Sequence, residues 1–154
     1  MTAKTADSEG DMNEYDALKL ENQLCFPLYA ASREIIKRYK PFLDPLGLTY
    51  TQYLAMMVLW DCRKISVKEL GEKLFLDSGT LTPLLKKLEA QGFITRLRSD
   101  KDERVLIVET TPKGRRLREK AVNVPQQVGC CVKLTPDEAQ RLYTLLYKFL
   151  GTLE

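Results

Sequence analysis

Histidine is missing from this 154-residue chain. That removes Ser-His-Asp and Cys-His catalysis, histidine-ligated zinc and the usual base near neutral pH. The four cysteines, Cys25, Cys62, Cys130 and Cys131, form no C-x-x-C pair, which argues against a zinc ribbon or a thioredoxin-type couple. No apolar run approaches the ~18 residues of a membrane span, and no signal peptide is visible. The expectation is a cytoplasmic protein that is not an enzyme, needs no cofactor or metal and has no membrane partner. In that compartment resting cysteines are thiols, and a disulfide is a signal rather than a staple.

What the chain does contain is unevenly placed. Its length suits one domain or one domain plus extensions, and 44% hydrophobic residues suffice for a core. The net charge is only +3, yet residues 86–118 hold ten Lys/Arg against five Asp/Glu, and residues 1–30 hold two lysines against six acids. A basic segment of this kind suits a region that faces an anion.

The densest pattern runs from Asp77 to Thr110. Leu81, Leu84, Leu85 and Leu88 recur at helical spacing, Asp77 fits an N-cap, and Gly92 fits the stop. The opposite face carries Gly79, Thr82, Pro83 and Lys86, flanked by Thr80 and Lys87, with no carboxylate before Glu89. Next, Ile94, Arg96 and Arg98 alternate with Thr95 and Leu97, and the Val105–Val108 stretch supplies a partner strand. A helix followed by a basic hairpin is the pattern of a winged helix-turn-helix, whose helix enters a major groove while the hairpin reaches along the backbone. In that arrangement Lys86, Lys87, Arg96, Arg98 and Lys101 would meet phosphates. Ser78, Thr80, Thr82 and Pro83 would lie near base edges.

The remaining segments frame this region. Residues 1–14 are small and polar, and are expected to be disordered. A first long helix is expected from about Tyr15 to about Leu43, with Pro27 either bending it or marking its true start. Thr49–Gln52 and Ser66–Glu69 have the form of capping boxes and open a second helix and a short third one. Thr111-Pro112 heads a fifth helix, and Thr135-Pro136 heads a last one with an apolar stripe at Leu142, Leu145, Leu146, Phe149, Leu150 and Leu153. So small a winged domain leaves that stripe little to cover, so a homodimer through the N- and C-terminal helices is expected, and with it a pseudo-palindromic operator. The fold class is therefore mainly α with a small β-wing. The domain spans 15–154, with dimerisation segments at 15–48 and 112–154 around a DNA-binding region at 49–111.

The stretch D-S-G-T-L-T-P-L-L-K-K-L-E at Asp77–Glu89, with D-E-R at Asp102–Arg104, resembles the MarR family of winged-helix repressors, and within it the organic-hydroperoxide-sensing OhrR type. The resemblance implies that Asp102 orients Arg104, which enters the minor groove at the wing tip, and that Asp77, Ser78 and Gly79 belong to the DNA-binding set. Q-L-C-F at Gln23–Phe26 resembles the sensing site of that branch. There a thiolate at Cys25 would become a sulfenic acid, and Tyr39 and Tyr50, from the partner subunit, would hydrogen-bond the sulfur, with Tyr29 a further aromatic nearby. Pro27 replaces the aliphatic residue usual in the family. In the two-cysteine branch a resolving thiol lies near the end of the fifth helix, where Cys130 matches and Cys131 stands beside it as the alternate.

From the residues alone, Cys25 in an apolar helix is an ordinary buried thiol, since Glu21 and Tyr29, its neighbours one turn away, carry no positive charge. Two other readings therefore stand beside the peroxide sensor. One is a MarR-type repressor released by a small phenolic ligand, with Cys25 merely packed. The other is a thiol peroxidase, which would leave the basic wing unexplained.

Overall fold

A computed structural model describes residues 15–153. The extension expected at 1–14 lies outside them. The chain divides into two compact units, Met1–Lys37 and Arg38–Glu154.

In the first unit the long helix starts later than its apolar pattern predicts. Tyr15 does not open it. Two 3-10 turns, Asp16–Leu18 and Leu20–Asn22, come first, and helix α1 runs Cys25–Leu43. Local side-chain bonds compete with the helix before Cys25. Asn22 Nδ2 donates to the Asp16 carbonyl at 2.8 Å, the Gln23 amide donates to the Ala17 carbonyl, and Lys19 pairs with Asp16 at 2.7 Å. Pro27 is the third helical residue, where its missing N–H would have had no partner in any case, so it marks the start instead of bending the helix.

The second unit holds the winged region. Helix α2 (Tyr50–Cys62) is opened by Thr49, whose hydroxyl accepts from the Gln52 N–H while Gln52 Oε1 accepts from the Thr49 N–H. Ser66 and Glu69 repeat the device for helix α3 (Val67–Leu74), and Asp77 caps helix α4 (Ser78–Ala90). Between α3 and α4 the turn is tight. Phe75 adopts φ +54°, and the Leu76 N–H donates to the Gly71 carbonyl at 2.9 Å. A Cβ on Gly71 would lie 2.8 Å from the Leu76 carbonyl oxygen, so only glycine permits this closure.

A three-stranded antiparallel sheet follows, in the order β1-β3-β2, from β1 (Lys64–Ser66), β2 (Ile94–Arg98) and β3 (Leu106–Thr110). The hairpin register pairs Ile94 with Thr110, Arg96 with Val108 and Arg98 with Leu106. Ile65 on β1 sits opposite Val108, so β1 adds an inner edge that the hairpin pattern alone does not announce. Met56, Leu59, Leu70, Leu81, Leu85, Leu88, Ile94 and Val108 are almost wholly buried and form the core on which α4 rests. Each such side chain contributes about 1.5–3 kcal/mol of burial.

After the sheet the predicted fifth helix is two. Helix α5 (Pro112–Ala121) is capped by Thr111, and helix α6 (Val124–Gly129) ends with Cys130 at its C-cap. Pro125 lacks the N–H that would reach back to Ala121 and explains the break. Helix α7 (Pro136–Leu150) is headed by Thr135 as predicted, in a capping box with Glu138, and has no buried residue; Leu145 is 63% exposed.

Candidate nucleic-acid interface and thiol sensor

Helix α4 presents its outer face because its inner face is taken. Leu81, Leu84, Leu85 and Leu88 are buried, while Ser78, Gly79, Thr80, Thr82, Pro83, Lys86 and Lys87 are all exposed. Asp77 holds the start of this helix doubly. Its carboxylate accepts the Thr80 N–H and the Thr80 hydroxyl, each at 2.9 Å. These bonds hold the Asp77 carboxyl below the usual aspartate range, so it remains charged. The Thr82 hydroxyl donates to the Ser78 carbonyl at 2.7 Å.

The wing carries two arginines with different partners. Arg96 is largely enclosed, and its Nε and Nη2 donate to Glu89 Oε2 at 2.9 and 2.6 Å. Arg104 stands at the tip with its side chain 90% exposed. Its Nε, Nη2 and backbone N–H all donate to Asp102, at 3.1, 3.2 and 3.0 Å. An exposed guanidinium is thus aimed by a neighbour two residues away, as the D-x-R pattern implies. Arg98 Nη1 donates to the Glu103 carbonyl at 2.7 Å and stiffens the wing, and Lys101 stays exposed.

The thiols are all free and exposed. Cys25 opens α1, against the buried position expected of a thiol in an apolar helix. In the same unit Tyr29 accepts a hydrogen bond from Arg33 Nη1 at 2.9 Å, with the guanidinium 5.5 Å from the ring centre. Arg33 was not among the predicted residues, although the Y-x-x-x-R spacing places it one turn from Tyr29. Cys62 turns its thiol onto the Val58 carbonyl at 3.1 Å, and Cys131 turns toward the Gln127 carbonyl at 3.7 Å.

In the second unit the Tyr39 and Tyr50 rings meet at 4.7 Å, tilted by 51°, and Tyr53 joins them, 5.9 Å from Tyr39. Burial raises the pKa of all three phenols, and their mutual repulsion adds to this for Tyr50 and Tyr53. They therefore stay protonated and able to donate. Tyr53 meets Trp60 edge-on at 6.1 Å, and the Trp60 indole N–H donates to the Gly114 carbonyl at 2.8 Å. Tyr53 and Trp60 escaped prediction because a single aromatic on a helix carries no spacing signal beyond core packing.

The family model for the transcriptional regulators SarA/Rot matches residues 37–121, which take in the whole winged region. The organic hydroperoxide resistance transcriptional regulator of Bacillus subtilis (strain 168) is 51% identical over 141 residues, covering 92% of this chain and 96% of its own. The chain belongs to this family of winged-helix regulators, in its organic-hydroperoxide branch. The SarA/Rot-type regulator is also similar to solved structures of AbfR, a Staphylococcus epidermidis protein. Overoxidized AbfR bound to DNA is 34% identical, with TM-score 0.73, covering 92% of this regulator and 100% of that chain. Disulfide-formed AbfR is 36% identical, with TM-score 0.60, covering 88% and 92%.

Proposed function

We propose that this regulator represses transcription by binding a pseudo-palindromic operator as a homodimer, and releases it when an organic hydroperoxide oxidises Cys25. The observation that carries the reading is the wing tip, where Asp102 holds an exposed Arg104 beyond a recognition helix with no carboxylate on its outer face. Arg104 is assigned to the minor groove, and Lys86, Lys87, Arg98 and Lys101 to phosphates. Arg96 serves instead as a brace, since Glu89 already occupies its guanidinium. The exposed apolar side chains of α7, Leu142 and Leu145 among them, are assigned to the dimer contact.

The redox chemistry needs two thiols and no cofactor. The Cys25 thiolate attacks one peroxide oxygen, the O–O bond breaks, and the alkoxide leaves and takes a proton as the alcohol. Sulfur is left as a sulfenic acid. A second thiol then displaces the sulfenic oxygen as water and closes a disulfide, expected between subunits. Cys130, at the C-cap of α6, is assigned as that thiol because it matches the resolving position of the two-cysteine branch, and Cys131, whose thiol lies 3.7 Å from the Gln127 carbonyl, is the alternate. Neutral Tyr39 and Tyr50, from the partner, supply hydrogen bonds to the sulfur. The disulfide populates a dimer geometry that no longer fits the two half-sites.

The test is binding of reduced protein to its own promoter DNA, with and without stoichiometric organic hydroperoxide, followed by non-reducing electrophoresis. Loss of binding with a dimer-sized band, reversed by thiol reductant, is expected. Unchanged binding with all thiols free would overturn the redox switch.

A further inference from the structure

Two hydroxyl protons on α4, those of Thr80 and Thr82, are already committed. A threonine hydroxyl has one hydrogen to give and lone pairs to receive with. The Thr80 hydroxyl faces Asp77 Oδ2 at 2.9 Å, and a carboxylate has no proton to share, so Thr80 is the donor. The Thr82 hydroxyl faces the Ser78 carbonyl at 2.7 Å, which likewise only accepts. Both residues are exposed, so what they turn toward an outside partner is a lone pair and a methyl group. Further along the helix the donors are Lys86 and Lys87, and Ser78–Ala90 contains no Asn or Gln to bind adenine with two parallel hydrogen bonds.

We propose that Thr80 and Thr82 read base edges as hydrogen-bond acceptors only, selecting an exocyclic amine, adenine N6 or cytosine N4, in the major groove. Guanine offers only N7 and O6 there, both acceptors, and is rejected at these positions. The selection rests on the placement of α4 in the major groove. It makes Asp77 a positioning residue in recognition as well as a helix cap, because Asp77 takes the proton that would otherwise let Thr80 donate. Thr82 is set the same way by the carbonyl of its own first turn.

The experiment uses full-length reduced protein and a duplex that it selects from a random-sequence pool. At each half-site adenine two analogues are compared, purine deoxynucleoside, which lacks the N6 amine, and 7-deazaadenine, which lacks the N7 acceptor. Cytosines are replaced by 2-pyrimidinone, which lacks the N4 amine. Loss of one amine is expected to weaken binding about five- to tenfold at the positions under these threonines, the size of one hydrogen bond. The 7-deaza change at the same positions is expected to stay within about twofold. Thr82→Val, of the same shape without the oxygen, should erase the amine dependence at its position, and Thr82→Ser should keep it. A larger loss from 7-deazaadenine than from amine removal would show that the hydroxyls donate, and would overturn the proposal while leaving α4 in the groove. Binding indifferent to every analogue at every half-site position would overturn that placement too.

Discussion

Glu89, in the last turn of the recognition helix, accepts three hydrogen bonds from Arg96 on the first strand of the wing, one from the backbone N–H and two from the guanidinium. The two DNA-facing elements are therefore fastened to each other at their roots. Arg96 also lies opposite Val108 on the inner face of the sheet, so the fastening sits on the core rather than in open solvent.

The Arg96 bonds pull the Glu89 pKa below its ordinary 4.5. A depressed carboxyl stabilises the fold above its unfolded pKa and loses that contribution as pH falls through its folded one. The acid limb due to this pair therefore lies below pH 4.5. Thermal melts of Glu89→Gln against wild type should show a deficit of about 1 kcal/mol at pH 7, modest because the pair is partly exposed. The two curves should converge at the acid end. A constant gap at every pH would contradict the assignment.

Arg104→Ala should weaken operator binding at least about tenfold, because each half-site loses its minor-groove contact. The melting temperature should not move, since the side chain is exposed and, among the described residues, bonded only to Asp102. Asp102→Asn should cost less, as it frees the arginine without removing it. Fluorescence anisotropy with a labelled duplex reads both, and affinity within twofold of wild type for Arg104→Ala would refute the wing-tip role.

Cys25→Ser should bind DNA as the wild type does and ignore organic hydroperoxide. Cys130→Ser should stop at the sulfenic acid, trapped by dimedone and visible by mass spectrometry, without the dimer-sized band. Cys131→Ser should still form that band. The reverse outcome for the two neighbours would move the resolving role to Cys131.

Gly114 is packed so closely that a Cβ there would overlap the Phe93 carbonyl. Gly114→Ala should destabilise the fold by about 1–3 kcal/mol through forced displacement of α5. Denaturant unfolding measures it, and a neutral result would mean that α5 shifts freely.

Leu145→Asp should convert the dimer to monomer in sedimentation velocity while the helical circular dichroism persists, because Leu145 is 63% exposed within its own chain. A dimer of unchanged strength would place the contact elsewhere.

Much of this was readable beforehand because it is local. Thr49, Ser66, Asp77, Thr111 and Thr135 each announce a helix by side-chain chemistry that acts within three residues, and all five hold the N–H groups they should. The leucines of α4 and the alternation of β2 were legible for the same reason. Strand β1 was not. Lys64–Ser66 carries one apolar residue, Ile65, and becomes a strand only because Val108 lies opposite it. The Glu89–Arg96 fastening joins residues whose charges alone look like solvated surface. At the start of α1 the apolar spacing continued upstream of Cys25, but the amides of Asn22 and Gln23 found backbone carbonyls and won locally.

Trp60 is the chain's sole tryptophan, and its indole N–H ends on the Gly114 carbonyl where α2 meets α5. The Tyr53 ring is 6.1 Å away and Tyr39 is 5.9 Å beyond that, short steps for resonance transfer of excitation energy. Light absorbed by those phenols emerges as indole emission. The protein thus carries a built-in optical gauge whose colour reports the polarity around one helix junction.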